Sequence, residues 1–196
     1  MIVSGSSDGT VRVWDAGTGR PVGAPFTGHI GSVNAVAVGQ VEGRTVIVSG
    51  SSDGTVRVWD AGTGRPVGDP LTGHIGLVRS VAVGQVEGRT VIVSGSDDGT
   101  VRVWDAGIGR PVGDPFTGHI GWVNAVAVGQ VEGRTVIASG SDDRSVRVWD
   151  AQLRRASVPL PLVDVASPVA AVVLGDSGQL AVGAELGVIL IRLPVG

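Results

Sequence analysis

Ser49-Gly50-Ser51-Ser52-Asp53-Gly54-Thr55-Val56-Arg57-Val58-Trp59-Asp60 decides the fold, because it returns almost unchanged along the chain. It recurs from Ser94 to Asp105 and from Ser139 to Asp150, and it stands near the start from Ser4 to Asp15, at a period of 45 residues. A fixed period of this size marks an array of structural units and takes precedence over any single motif. Gly-His pairs precede the last three copies, at Gly28-His29, Gly73-His74 and Gly118-His119, each His thirty residues ahead of Trp59, Trp104 or Trp149. Within the quoted stretch, Ser52-Asp53-Gly54-Thr55 reads as a tight turn in which Asp bonds the backbone and Gly takes positive φ. Around it, runs rich in Val, Ile and Thr give strands from Ser32 to Val38, Thr45 to Ser49 and Thr55 to Trp59. A fourth, from Arg65 to Leu71, carries Pro66 and Pro70, which cannot donate ladder hydrogen bonds and so belong on an outer edge. The first is small and apolar on both faces (Val33, Ala35, Val36, Ala37, Val38), as units crowding around an axis require. Helical periodicity is absent.

Gly-His followed after thirty residues by Trp-Asp, with Ser-Gly-Ser-x-Asp-Gly-Thr-Val-Arg-Val-Trp leading into the Trp, resembles the WD40 family. The resemblance covers residues 1–155 closely and the remainder loosely. It implies an all-β fold, a β-propeller of four-stranded antiparallel blades with about 4.5 blades in this chain. Residues 156–196 are expected to form a degenerate terminal blade. Pro168 to Leu174, Gln179 to Gly183 and Val188 to Leu193 fall where three strands belong, and Val165, Val182, Leu186 and Arg192 stand in the places of His, Ser, Asp and Trp. The chain starts at a second strand and stops after a third, so the ring is expected to be incomplete by itself. Closure then comes from a homodimer forming a ring of about eight to ten blades, or from additional blades of a longer native chain.

Each complete unit holds one Ser, one His and one Asp at fixed spacing: His29, Ser49, Asp53; His74, Ser94, Asp98; and His119, Ser139, Asp143. These residue types can form a nucleophilic triad, which would make the chain a hydrolase. The resemblance implies instead that they join Trp59, Trp104 and Trp149 in a buried structural hydrogen-bond network: indole N–H to Ser hydroxyl, hydroxyl to imidazole, imidazole N–H to carboxylate. Three identical copies argue against one activated site, so no catalytic residue is expected. Family spacing favours Ser49 over Ser51 as the network member. Asp97-Asp98-Gly99 and Asp142-Asp143 lack the six to eight oxygens that calcium takes. Gly17-Thr18-Gly19 and Gly62-Thr63-Gly64 precede no helix, and the chain has no Lys for a phosphate loop. With one His per blade, no metal and no cofactor is expected. Arg20, Arg65 and Arg110, with Arg44, Arg89 and Arg134, are expected along one rim as solvated charge near Glu42, Glu87 and Glu132.

A net charge of -3, with all fifteen basic residues being Arg and spread evenly, offers no general attraction for phosphate backbones, so nucleic acid is not an expected partner. No Cys is present, which removes disulfides and thiolate metal sites and fits a reducing, cytoplasmic setting. The segment from Met1 to Ser6 lacks a signal-peptide pattern and no apolar run reaches membrane-spanning length, so no membrane association is expected. Abundant Gly, Ala, Val, Arg and Pro without Lys or Tyr fits codon usage in a GC-rich bacterial genome.

Specificity is expected to reside where near-identical copies differ. Three and five residues after each His stand Ser32 and Asn34, Leu77 and Arg79, then Trp122 and Asn124; before the network Asp, Ser7 and Ser52 give way to Asp97 and Asp142. The resemblance places these positions on the top face around the mouth of a central channel. Trp122, Leu77, Arg79, Asn124, Asp97 and Asp142 are therefore the expected contacts for a protein or peptide, with Trp122 as anchor. The alternative for Trp122 is a ring that caps a neighbouring blade or plugs the channel. The expected function is a protein–protein interaction scaffold. Its rivals are a structural module or fragment of a larger bacterial signalling protein, and the Ser-His-Asp hydrolase.

Overall fold

The computed structural model describes residues 1–131, 133–151, 163–164, 167–175, 179–184 and 187–192. Glu132, Val165, Leu186 and Leu193 lie outside the described residues, and Arg192 is described only by its place in a strand.

Alternation of Val with Arg, Ser and Trp gives each strand two usable faces, because successive side chains point to opposite sides. In β5 (Val56–Asp60), Val56 and Val58 are buried on one face while Trp59 is buried on the other. Both faces are covered, so the sheets must stack side by side. β1 (Ile2–Gly5) pairs with β2 (Val11–Trp14). β3 (Val33–Val41), β4 (Arg44–Ser51) and β5 form the next antiparallel sheet. β6 (Val78–Val86), β7 (Arg89–Ser96), β8 (Val101–Asp105) and β9 (Arg110–Pro111) form the third, and β10 (Val123–Val131), β11 (Arg134–Ser141), β12 (Ser145–Asp150) and β13 (Val163–Asp164) the fourth. The last comprises β14 (Val169–Leu174), β15 (Gln179–Ala184) and β16 (Gly187–Arg192). Together these are the blades of a partial β-propeller with an open ring. Among the described residues no helix is long and apolar enough to cross a membrane.

Two local devices set the inner strands. Glu42 (φ 49°) and Gly43 (φ 77°) both adopt positive φ, the signature of a two-residue type I′ turn, and this joins β3 to β4 with a twist matching that of the strands. The second device is a bulge. Val33 pairs with Ser51 but Ala35 pairs with Gly50, so Asn34 is the extra residue; Arg79 and Asn124 hold the same place in β6 and β10. A bulge re-aims the side chain it carries.

The outer stretch expected as a strand from Arg65 to Leu71 is less regular. It touches β5 at two bridges, Trp59 with Pro66 and Val56 with Leu71, and Val67 N–H donates to the Val58 carbonyl between them. Pro66 and Pro70 have no N–H to donate, so the ladder is pinned at points rather than continuous.

The core lies between blades. Val56, Val58 and Leu71 of one blade pack with Ile92 and Trp104 of the next, and Val101, Val103 and Phe116 pack with Ile137 and Trp149 of the one after. Val169, Val172, Leu180 and Val182 continue the stack against Ala125, Val136 and Val148. Burying each such side chain contributes about 1.5–3 kcal/mol. The approach is close: a Cβ on Gly50 would stand 2.6 Å from Val78 Cγ1 in the adjacent blade.

Candidate functional site

At one end of each blade, the Gly-His-Ile-Gly turn meets the turn that follows β4, β7 or β11. Backbone bonds tie the two together: Ser52 N–H to the Ser32 carbonyl (2.8 Å), Asp97 N–H to Leu77 (3.0 Å) and Asp142 N–H to Trp122 (3.0 Å). Beneath this junction sits the repeated polar set. Trp59 lies opposite Ile47 in the β4–β5 register, so its indole reaches Ser49, two residues along on the same face. Trp59 Nε1–H donates to Ser49 Oγ at 2.8 Å, Ser49 Oγ lies 2.8 Å from His29 Nε2, and His29 Nδ1 lies 2.8 Å from Asp53 Oδ2. A carboxylate only accepts, so the imidazole proton is on Nδ1 and Nε2 accepts from the Ser hydroxyl. The same chain runs Trp104–Ser94–His74–Asp98 and Trp149–Ser139–His119–Asp143. Ser51 has a different role: its hydroxyl donates to the Gly31 carbonyl and accepts from Asp53 N–H.

Asp53 also accepts from Ile30 N–H, Thr55 N–H and Thr55 Oγ1–H. Burial pushes its carboxyl up, but the bonds from Thr55, His29 and Ile30 outweigh that and hold it at about 2. Asp143 is likewise held at about 2, with Ser145 replacing the Thr, and Asp98 is lowered for the same reasons. Burial pulls His29, His74 and His119 below their ordinary 6.5 against the pull of the Asp carboxylates, with Arg57, Arg102 and Arg147 adding to the decrease. The imidazoles are neutral in this network.

Acid sensitivity follows from these shifts. Both kinds of group titrate lower when folded, so the unfolded chain holds more protons and stability rises with pH. The His contribution is complete above 6.5 and is lost as pH falls below it; the Asp contribution is complete above 3.8 and is lost toward about 2. Thermal unfolding scans are expected to show Tm level above about pH 7 and then falling in two stages, with net proton uptake on unfolding.

Ser49, Ser94 and Ser139 have no exposed surface, and each hydroxyl is already engaged by an indole N–H and an imidazole nitrogen. The sets have the atoms of a triad without access to one. Among the described residues, no group of three or more His, Cys, Asp or Glu could hold a metal ion.

The positions that differ between copies form pairs across the same junction. Asn34 Nδ2 donates to Ser52 Oγ (3.2 Å) and to the Val78 carbonyl of the next blade (3.0 Å). Asn124 Nδ2 donates to Asp142 Oδ1 (2.6 Å) and to the Val169 carbonyl (3.2 Å). Asn124 and Asp142 are thus held within the blade junction. Arg79, with the same bulge placement, pairs with Asp97 through Nε and Nη2 and lays its guanidinium carbon 4.2 Å from the centre of the Trp122 ring in the adjacent blade. Trp122 is 48% exposed and Leu77 is also exposed, so the stacked guanidinium holds one face of the indole while the rest meets solvent.

Ile30, Ile75 and Ile120 were not among the expected contacts, yet they are about 95% exposed, at 95%, 94% and 95%. Each is fixed by its own N–H to the network Asp. Three bare Ile side chains therefore stand on the end of the blades that carries Leu77 and Trp122. The available signal was an apolar residue placed in every Gly-x-x-Gly turn, where no strand face can bury it.

The WD domain, G-beta repeat family model matches residues 1–15, 19–60, 64–105 and 109–150. A crystal structure of the computationally designed Ika8 protein is similar over 97% of this chain, at 32% identity and a TM-score of 0.75. The chain spans 54% of that protein's length. Comparison with curated proteins gives no match.

Proposed function

Because the chain belongs to the WD40 family, whose propellers generally bind proteins or peptides and are typically non-catalytic, we propose that it is a scaffold whose top face docks a protein or peptide partner on Trp122. The observation that carries this reading is a half-exposed indole held in place by the Arg79–Asp97 pair. Preorganised aromatic side chains with Arg nearby are the usual anchors of interfaces, since little rotamer freedom remains to be lost on binding. Leu77, Ile75 and Ile120 supply apolar surface around it, Asp97 and Arg79 a polar rim, and Asn124 with Asp142 the rigid junction behind. Trp122→Ala is expected to weaken a peptide selected on this protein from a random display library by about 30-fold, or about 2 kcal/mol, measured by calorimetry. Unchanged affinity removes Trp122 as the anchor.

The open ring calls for further blades. We read residues 1–155 as WD40 repeats and 156–196 as a degenerate blade of the same propeller, supported by the packing of β14 against β10. A homodimer would close a ring of about eight to ten blades, as would additional blades from a longer chain. Light scattering coupled to size exclusion is expected to give twice 19.7 kDa; a single species at 19.7 kDa contradicts the homodimer. Freedom from Cys and the Arg-only basic composition support a cytoplasmic, bacterial setting.

A further inference from the structure

β1 holds the place in its blade that β4, β7 and β11 hold in theirs, and each of those three has an inner strand along one edge and a Trp-bearing strand along the other. β1 pairs with β2, and among the described residues no strand runs along its other edge. The sister registers give the pairing that this edge fits. Val48, Ser49 and Gly50 face Ala37, Val36 and Ala35, and Val3, Ser4 and Gly5 are their counterparts in the repeat. The neighbouring blade reaches the tip of the edge, where Val33 N–H donates to the Ser6 carbonyl at 2.9 Å, and leaves Val3 to Gly5 beside it.

The polar set beside this edge is assembled to match. Trp14 Nε1–H donates to Ser4 Oγ at 2.9 Å, as Trp59 does to Ser49. Asp8 Oδ1 accepts Thr10 N–H and Oγ1–H at 2.9 and 2.7 Å, and Asp53 Oδ1 accepts the same two bonds from Thr55 at the same distances. In that sister blade the His29 imidazole bridges Ser49 Oγ and Asp53 Oδ2, and Ile30 N–H adds a second bond to Asp53 Oδ2. His29, His74 and His119 are each engaged in their own sets, so Ser4 and Asp8 meet no imidazole from within the chain. Ser49 is fully buried, whereas Ser4 is half-buried and Asp8 exposed. Hydroxyl, carboxylate and strand edge thus keep the arrangement that holds a Gly-His-Ile-Gly turn and its following strand in three other blades, within reach of solvent.

We propose that β1, with Ser4 and Asp8, is a docking edge for a strand of another polypeptide in which Gly-His-x-Gly precedes alternating Val and Ala. The strand adds antiparallel to β1, main-chain bonds supplying affinity and the His supplying specificity. Its imidazole donates Nδ1–H to Asp8 Oδ2 and accepts the Ser4 hydroxyl on Nε2. Ser7 stands where Ser52 accepts from Asn34, so Asn five residues after the His completes the match. A second copy of this chain is not the occupant, because its inner strands β3, β6, β10 and β14 are each paired within their own sheets. The docking edge depends neither on Trp122 nor on how the ring closes.

The test is an NMR titration of the isotope-labelled full chain with a capped synthetic peptide of the sequence from Gly28 to Gln40; a scrambled peptide of the same composition is the control. Saturable shifts are expected at the Ser4 and Gly5 amides and the Trp14 indole N–H, with the indole N–H groups of Trp59, Trp104, Trp122 and Trp149 unmoved. The peptide carrying His29→Ala is expected to bind about tenfold more weakly, through loss of a bond to a charged group. Asp8→Asn in the chain is expected to weaken the parent peptide by about the same factor, since an amide turns N–H toward an imidazole N–H. Asp8 is exposed and lies outside the three complete sets, and an unchanged Trp59 indole signal verifies that the variant is folded. The proposal is overturned if the scrambled or Ala-bearing peptide binds as the parent does, if no shift at Ser4, Gly5 or Trp14 saturates, or if Asp8→Asn changes nothing. Dilution of the chain alone that moves the Ser4 and Gly5 amides would overturn it too, by making a second copy the occupant.

Discussion

Trp104→Ala is expected to cost about 3–5 kcal/mol of stability, the largest effect of any single truncation in the array. Trp104 is 1% exposed and packs with Val48, Val56, Val58 and Leu71 of the preceding blade and Ile92 of its own, so its removal opens a cavity at a blade junction. The Ser94 hydroxyl loses its indole donor, and the edge of the indole no longer supports the His74 ring, whose centre lies 6.3 Å away. Trp104→Phe keeps most of the packing and loses the N–H, so it should fall between the two. Urea unfolding followed by circular dichroism measures the cost. Because each blade contacts only its neighbours, amide exchange is expected to accelerate first in β6 to β8. An effect under about 1 kcal/mol would mean that the blade junction is not where the stability resides.

Asp98→Ala is the second. The carboxylate, whose side chain is only 5% exposed, accepts from His74 Nδ1–H, Ile75 N–H, Thr100 N–H and Thr100 Oγ1–H. Alanine leaves these donors without an acceptor at once. Each stranded donor costs about 1–3 kcal/mol, and the Thr hydroxyl can rotate away, so a net loss of about 3 kcal/mol is expected. The His74 imidazole also loses the group that fixes its tautomer, and the first acid stage of unfolding should change in shape in this variant. A neutral outcome by the same urea assay would show that the network is decoration rather than the tie between the two turns.

The strands, their order and the turn chemistry were legible because the information is local. Val and Thr alternation, Asp53-Gly54 and the paired prolines act within a few residues of themselves. The expected inner strand from Ser32 to Val38 is found at Val33–Val41, its extra length coming from the Glu42-Gly43 turn, which allows pairing to continue to the hairpin tip. The outer strand was less legible: Pro66 and Pro70 signal an edge but do not say that only two bridges survive. The differing positions lie together at the blade end that carries Trp122. That Asn34 joins Ser52, Arg79 joins Asp97 and Asn124 joins Asp142 depends on a bulge that no pattern of alternation announces. Constancy also concealed surface. Ile30, Ile75 and Ile120 do not vary, and an apolar residue in a repeat reads as core until the turn that strips it of neighbours is seen.

The most direct test of a docking face around Trp122 is a methyl and indole NMR footprint of the full chain bound to a peptide selected from a random display library. Shifts concentrated at the Trp122 indole N–H and the methyls of Ile75, Leu77 and Ile120, with the far ends of β5 and β8 quiet, are the expected result. A footprint that leaves Trp122 and those methyls unmoved would contradict the account.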